Sequence, residues 1–149
     1  DVWQHFTGEE REMLTAAVRY HNKYALPDEF TGEILLFCRL IRDADKLDGL
    51  KRTADGHTFT LLNVGDDDAV SPPVLAAILG CRCARYTEIH TQQDIILAIL
   101  GQLYDVNFPH SFAVIREGNY VERIFARLPR NADFTKMRET VQAFLDRQA

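Results

Sequence analysis

Two adjoining helical stretches hold the residues best suited to chemistry. In the second of them, Ile34, Phe37, Cys38, Ile41, Ala44 and Leu47 recur at helical spacing and predict one buried stripe. Asp45 continues the row of Ile34, Cys38 and Ile41, so it is expected to point where the core should be, and Asp48 lies one turn further on. A carboxylate in that position must be paired, protonated or bound to a metal, because an isolated buried charge is prohibitively costly. Lys46 falls on a different row with Arg39 and Arg42, nearer the rim. In the first stretch His21 shares a face with Leu14, Ala17 and Val18, and Asn22 follows it at the helix end. Each residue taken alone also has a plain structural reading. Asp45 would then cap a neighbouring helix or pair with an arginine, and His21 would be a hydrogen-bonded core residue. Together, an imidazole and a carboxylate converging across a short loop suit a divalent transition metal, whose ligands are commonly His nitrogen and Asp oxygen.

The elements that must carry these residues read as helices. Thr7-Gly8-Glu9-Glu10 has the form of a capping box and predicts a helix from Gly8 to about Lys23, stopped by Leu26-Pro27. The next helix is expected from Thr31 or Gly32 to about Leu50. From Lys51 to Val70 the pattern weakens, and Thr58 to Leu62 reads as a short strand, an extended loop or an irregular helix. Ser71-Pro72-Pro73 opens a helix that lasts until Gly80, and Thr91 to Asp94 opens a longer apolar one through Leu103. Asn119 is expected to cap a helix with Tyr120, Ile124, Phe125 and Leu128. Asn131 or Asp133 is expected to cap a last one with Phe134, Met137, Val141, Phe144 and Leu145 on its inner face. The fold class that results is all-α, about six helices with little or no sheet.

Composition narrows the function classes. The chain has 149 residues, 46% of them hydrophobic, enough for a single domain with one core. With 17 basic and 22 acidic residues the net charge is -5, which excludes a general attraction to nucleic acid or to anionic membrane. No secretion signal or membrane-spanning run is present, and three cysteines, an odd number, fit a reducing cytoplasm. Cys81-x-Cys83 lacks a second pair or a His at zinc-ligand spacing, so a packing or surface role is expected for it. Asp66-Asp67-Asp68 reads as a solvated loop, since the alternating ligands of a calcium loop are missing. Gly-rich phosphate loops and a serine-nucleophile elbow are absent.

Three blocks carry a resemblance: Ala17-Val18-Arg19-Tyr20-His21-Asn22, then Ala25-Leu26-Pro27, then Leu40-Ile41-Arg42-Asp43-Ala44-Asp45-Lys46-Leu47-Asp48. In order and spacing they resemble the second half of bacterial HD-domain proteins, a superfamily of metal-dependent phosphohydrolases. The stretch from Asp94 to Phe108 is similar to the C-terminal extension of that subgroup. The resemblance implies an HD-domain-like helical bundle truncated at its N-terminus, with residues 1–149 as the C-terminal portion of one domain. It also implies a divalent metal ion among manganese, iron, cobalt, nickel, zinc and magnesium. Asp45 matches the metal-binding Asp of the later helix, with Asp43 as runner-up. His21 matches an additional histidine that binds a second metal or contacts substrate phosphate, and Lys46 and Asp48 match positions that support the site by charge or hydrogen bonding.

The departure from the family is large, since none of the five histidines is followed by Asp and the doublet that names the family is missing. The chain opens on Asp1-Val2-Trp3-Gln4 without an initiator Met, so the missing ligands are expected upstream. The implied activity is hydrolysis of a small phosphate ester, nucleotides included, by a metal-activated water. The alternative is a catalytically silent helical module that binds a nucleotide or a partner. For residues 1–149 alone, weak or no metal binding is expected, together with an exposed apolar groove that favours homo-oligomers.

Overall fold

The computed structural model describes residues 2–57 and 69–148, and its described residues hold seven α-helices and no strand element. The all-α class is therefore correct. The expectations for Thr58 to Leu62 and for Asp66-Asp67-Asp68 lie outside the described residues. The chain divides into two compact units, residues 1–45 and residues 46–149.

In the first unit α1 spans Gly8–Tyr20 and begins as the sequence predicts. The Thr7 hydroxyl accepts from the Glu10 amide at 3.2 Å, and the Thr7 amide donates to the Glu10 carboxylate at 2.7 Å. The Thr7 amide, and the Thr7 hydroxyl beside it, hydrogen-bond the Glu10 carboxylate and hold the Glu10 carboxyl below its ordinary range. The helix stops three residues short of the expected Lys23, at a turn where Tyr20 packs edge to face on Phe30 with ring centroids 5.1 Å apart.

The next helix, α2, spans Gly32–Ala54 and runs through the boundary between the units. It is four residues longer than expected because its stop signal is Gly56. That glycine adopts φ +94°, the amide of His57 reaches back to Arg52 O at 2.9 Å, and the amide of Gly56 reaches Thr53 O at 3.1 Å. This paired closure needs a residue with positive φ, which glycine supplies without a Cβ clash.

The second unit adds α3 (Pro72–Leu79), α4 (Gln92–Gly101), α5 (Pro109–Glu117), α6 (Tyr120–Phe125) and α7 (Ala132–Asp146). Helix α3 packs on α4 and α7, and α6 packs on α4, α5 and α7. Their shared core holds Leu50, Val74, Ile78, Leu97, Leu100, Leu103, Ile115, Ile124, Met137 and Val141. Helix α5 is the one that hydropathy alone misses. Its signal is Pro109 at the first helical position, where the absent N–H costs nothing, followed by Phe112 and Ile115 one turn apart on its buried side. Asn119 precedes α6 as expected but adopts φ +50° and makes no side-chain cap, whereas Asn131 does cap α7 by accepting from the Phe134 amide at 3.0 Å.

The starts of α3 and α4 are joined by one carboxylate. Asp94 is fully buried, and its oxygens accept from the Ser71 amide (2.8 Å), the Ser71 hydroxyl (2.6 Å), the His90 amide (2.9 Å) and the Thr91 amide (3.0 Å). A buried carboxylate is tolerated here because four donors replace its water. Removing it leaves the backbone donors of two helix starts dry and unpaired. Asp94→Ala is expected to lower unfolding stability by about 3 kcal/mol in urea denaturation. A change below about 1 kcal/mol would show that solvent reaches those amides.

Candidate functional site

His21 immediately follows α1, in helical backbone geometry, and is half-buried. Its Nδ1 lies 2.6 Å from the carbonyl oxygen of Val18. A carbonyl only accepts, so the contact requires a proton on Nδ1, which in the neutral ring leaves Nε2 with its lone pair. That is the tautomer in which a metal-ligating imidazole is held when a carbonyl accepts from its other nitrogen.

The end of α1 is held by Arg42, which is 4% exposed. Its Nη1 donates to Lys23 O at 2.6 Å, Tyr20 O at 2.9 Å and His21 O at 3.4 Å. Tyr20 O and His21 O stand where the ladder of α1 ends, Tyr20 O also accepting from the Lys23 amide at 3.3 Å, and a guanidinium supplies both a donor and the positive charge that a helix C-terminus favours. Arg42 lies one turn before Asp45, so α2 is fastened at this point to the turn that carries His21.

That fastening sets the rotation of α2 and corrects the expected stripe. The buried residues of α2 are Cys38, Arg42, Asp43, Lys46, Leu50, Thr53 and Ala54. Asp45, predicted to point inward, is exposed, and so are Ala44 and Ile41, the latter by 39%. Hydropathy placed the apolar row inside. The structure instead buries Arg42 and Lys46 beside Cys38 and leaves Arg39 exposed, because Arg42 and Lys46 each find partners that offset their desolvation. Asp43, the runner-up for the metal-binding role, is the carboxylate that is buried, at 3% exposure, and it is engaged with a partner.

The outer side of the first unit is apolar where it leads to Asp45. Val18 is 63% exposed, Leu40 45% and Leu36 44%. Leu36, Leu40 and Ile41 follow one another along α2, with Asp45 one turn beyond Ile41.

Lys46 and Asp48 belong to the second unit. Lys46 is buried and donates from Nζ to Asp105 twice, to the carboxylate at 2.7 Å and to the backbone oxygen at 2.9 Å. Its charge is balanced inside the fold, which corrects the expectation of a cation near the rim. Asp48 is exposed and faces Arg52 at 3.9 Å. The imidazoles of His5, His57, His90 and His110 are all exposed. Among the described residues no three His, Cys, Asp or Glu side chains gather closely enough to hold a metal ion. Sequence reasoning gave no anchoring role to Arg42 or Asp105 and read Asp94 only as part of a helix start.

No family model matches the chain, and no curated protein or solved structure matches it. No described helix is long and apolar enough to cross a membrane.

Two sets of substitutions test this arrangement. Arg42→Met keeps an apolar stem but removes the guanidinium from the end of α1, and is expected to cost about 2 kcal/mol in thermal or urea unfolding. Lys46→Met removes the buried ammonium from Asp105 and is expected to cost about 2 kcal/mol, while Asp48→Ala stays within about 0.5 kcal/mol. Equal effects at positions 46 and 48 would refute the difference in burial.

Proposed function

We propose that the first unit presents part of an HD-type metal site and that the protein acts as a phosphohydrolase on a small phosphate ester. The observation that carries this reading is the Val18 carbonyl holding His21 in the Nδ1–H tautomer, beside the helix that bears Asp45. His21 would offer Nε2 as a metal ligand, or, with both ring nitrogens protonated, as a donor to substrate phosphate. Asp45 would offer an exposed carboxylate one turn beyond the exposed Ile41. When bound, a divalent cation supplies Lewis-acid polarisation of the ester and a water nucleophile of lowered pKa. The chemistry of the donors suits such an ion, but one imidazole and one carboxylate are an incomplete shell. On the resemblance, the remaining His and His-Asp ligands come from a preceding segment, and the apolar stripe is where that segment would pack. Burial by it would also bring Asp45 out of water, which strengthens its interaction with a cation.

A second reading is favoured by one feature of the sequence, the absence of any His-Asp doublet. In it the same face binds a nucleotide or a partner protein without turnover.

The test is made on the natural protein, with whatever residues adjoin these 149. Asp45→Asn is expected to lower manganese content and phosphatase activity toward nucleoside monophosphates together, by at least about tenfold. Unchanged metal content and unchanged activity would overturn the hydrolase assignment. Ligand-induced thermal stabilisation with no phosphate release from the wild type would establish the silent module instead.

A further inference from the structure

Between the ends of α5 and α7, within the second unit, lies a cavity of about 240 Å³ that the proposed hydrolase site does not use. Ile115, Val121 and Leu145 of the unit's core form its aliphatic side, and Arg116, Asn119 and Gln142 form its polar side. The turn that joins α5 to α6 fixes its shape. There the Asn119 amide reaches Arg116 O at 2.9 Å, the Gly118 amide reaches Val114 O at 3.0 Å, and Arg123 donates to Gly118 O at 3.2 Å. A Cβ at Gly118 would stand 2.1 Å from Tyr120 Cε1, so the buried Tyr120 ring packs directly on that turn. A cavity formed in advance spares a ligand the cost of ordering its contacts.

The three polar side chains hold unspent hydrogen-bonding capacity. Arg116 commits one of its five N–H groups, to Leu145 O at 3.1 Å. Gln142 spends Nε2 on the Asp146 carboxylate at 2.7 Å, which leaves Oε1 as an acceptor. The Asn119 side chain makes no cap. Among the described residues no further partner holds any of the three. The charges beside the cavity are mixed. Arg116 is the charged member of its lining, while the C-terminal ends of α5 and α7 and the Asp146 carboxylate bring negative potential to the same place. A plain anion is opposed by those helix ends and a plain cation by Arg116, so the ligand that suits both carries the two charges close together.

We propose that this cavity binds a free α-amino acid with an aliphatic side chain. Its carboxylate takes the uncommitted N–H groups of Arg116 together with the Asn119 amide, and its ammonium donates to Gln142 Oε1, with Asp146 behind it. Its side chain lies against Ile115, Val121 and Leu145. Volume sets the size of the ligand, because about 150 Å³ encloses benzene and drug-sized ligands occupy about 300 Å³ or more. The cavity falls between, with room for a single residue.

The protein is titrated with L-leucine, with isocaproate, which lacks the ammonium, and with isopentylamine, which lacks the carboxylate, and binding is followed by backbone amide chemical shifts. L-Leucine is expected to bind saturably with shifts centred on the cavity, and each truncated analogue to bind at least about tenfold more weakly. Asn119→Gly suits the backbone at φ +50° and is expected to keep or raise Tm while weakening L-leucine binding. Arg116→Lys keeps a cation and a donor for Leu145 O but loses the guanidinium fork, and is expected to weaken L-leucine binding by about tenfold. No saturable binding of L-leucine below about 10 mM, or equal binding of either analogue, overturns the proposal. So does an affinity unchanged in Arg116→Lys. None of these outcomes bears on the phosphohydrolase reading, which rests on His21 and Asp45.

Discussion

The guanidinium of Arg42 decides most of what the first unit presents to its surroundings. It enters a dry position because carbonyl oxygens stand where the ladder of α1 ends, and it donates to them. Once those bonds form, α2 can no longer rotate to bury Ile41 and Ala44 of its expected apolar row, whose Cys38 stays buried. Leu36, Leu40 and Ile41 turn outward, and Asp45 turns outward with them. The same bonds fasten α2 beside the turn in which Val18 orients the His21 ring. An interaction that is purely structural thus sets which chemically capable groups are available.

Polar burial is handled in the same manner in the second unit. Asp94 and Lys46 lie in dry positions, and each is surrounded by the groups that its charge requires: four donors for the carboxylate, and the two oxygens of Asp105 for the ammonium. Such pairs add less net stability than their distances suggest, because desolvation offsets much of the attraction. Their larger effect is on specificity of packing. Asp94 fixes the starts of α3 and α4 against each other, and Lys46 fixes α2 to the turn after α4. The apolar core between them, from Val74 and Ile78 to Leu97, Leu100 and Met137, then packs in one arrangement.

The exposed stripe along α2 gives the proposed half-site its physical logic. Three large apolar side chains in water, Leu36 and Leu40 one turn apart and Ile41 one turn before Asp45, represent an unused burial surface, and the Asp45 carboxylate is weakly useful while solvated. Covering such a face would remove apolar area from water and lower the local dielectric around Asp45 in one step, so packing and metal affinity would rise together.

Much of the helical framework was legible in the residues themselves. The capping box at Thr7, the prolines that open α3, the Thr91-to-Asp94 start and the Asn131 cap are local devices, each made by residues within a few positions of the backbone they serve, whereas Ser71 makes no cap and is held by the distant Asp94. The end of α2 at Gly56 and the presence of α5 were written in equally local terms but in weaker signals, a lone glycine and a lone proline. The rotation of α2 was not legible, because hydropathy ranks Arg42 and Lys46 as outward residues. Only partners distant in sequence, the carbonyls of residues 20 to 23 and Asp105, make their burial favourable. Tertiary contacts therefore decided the positions of Asp45 and Lys46, for the physical reason that the cost of burying a charge depends on what it meets there.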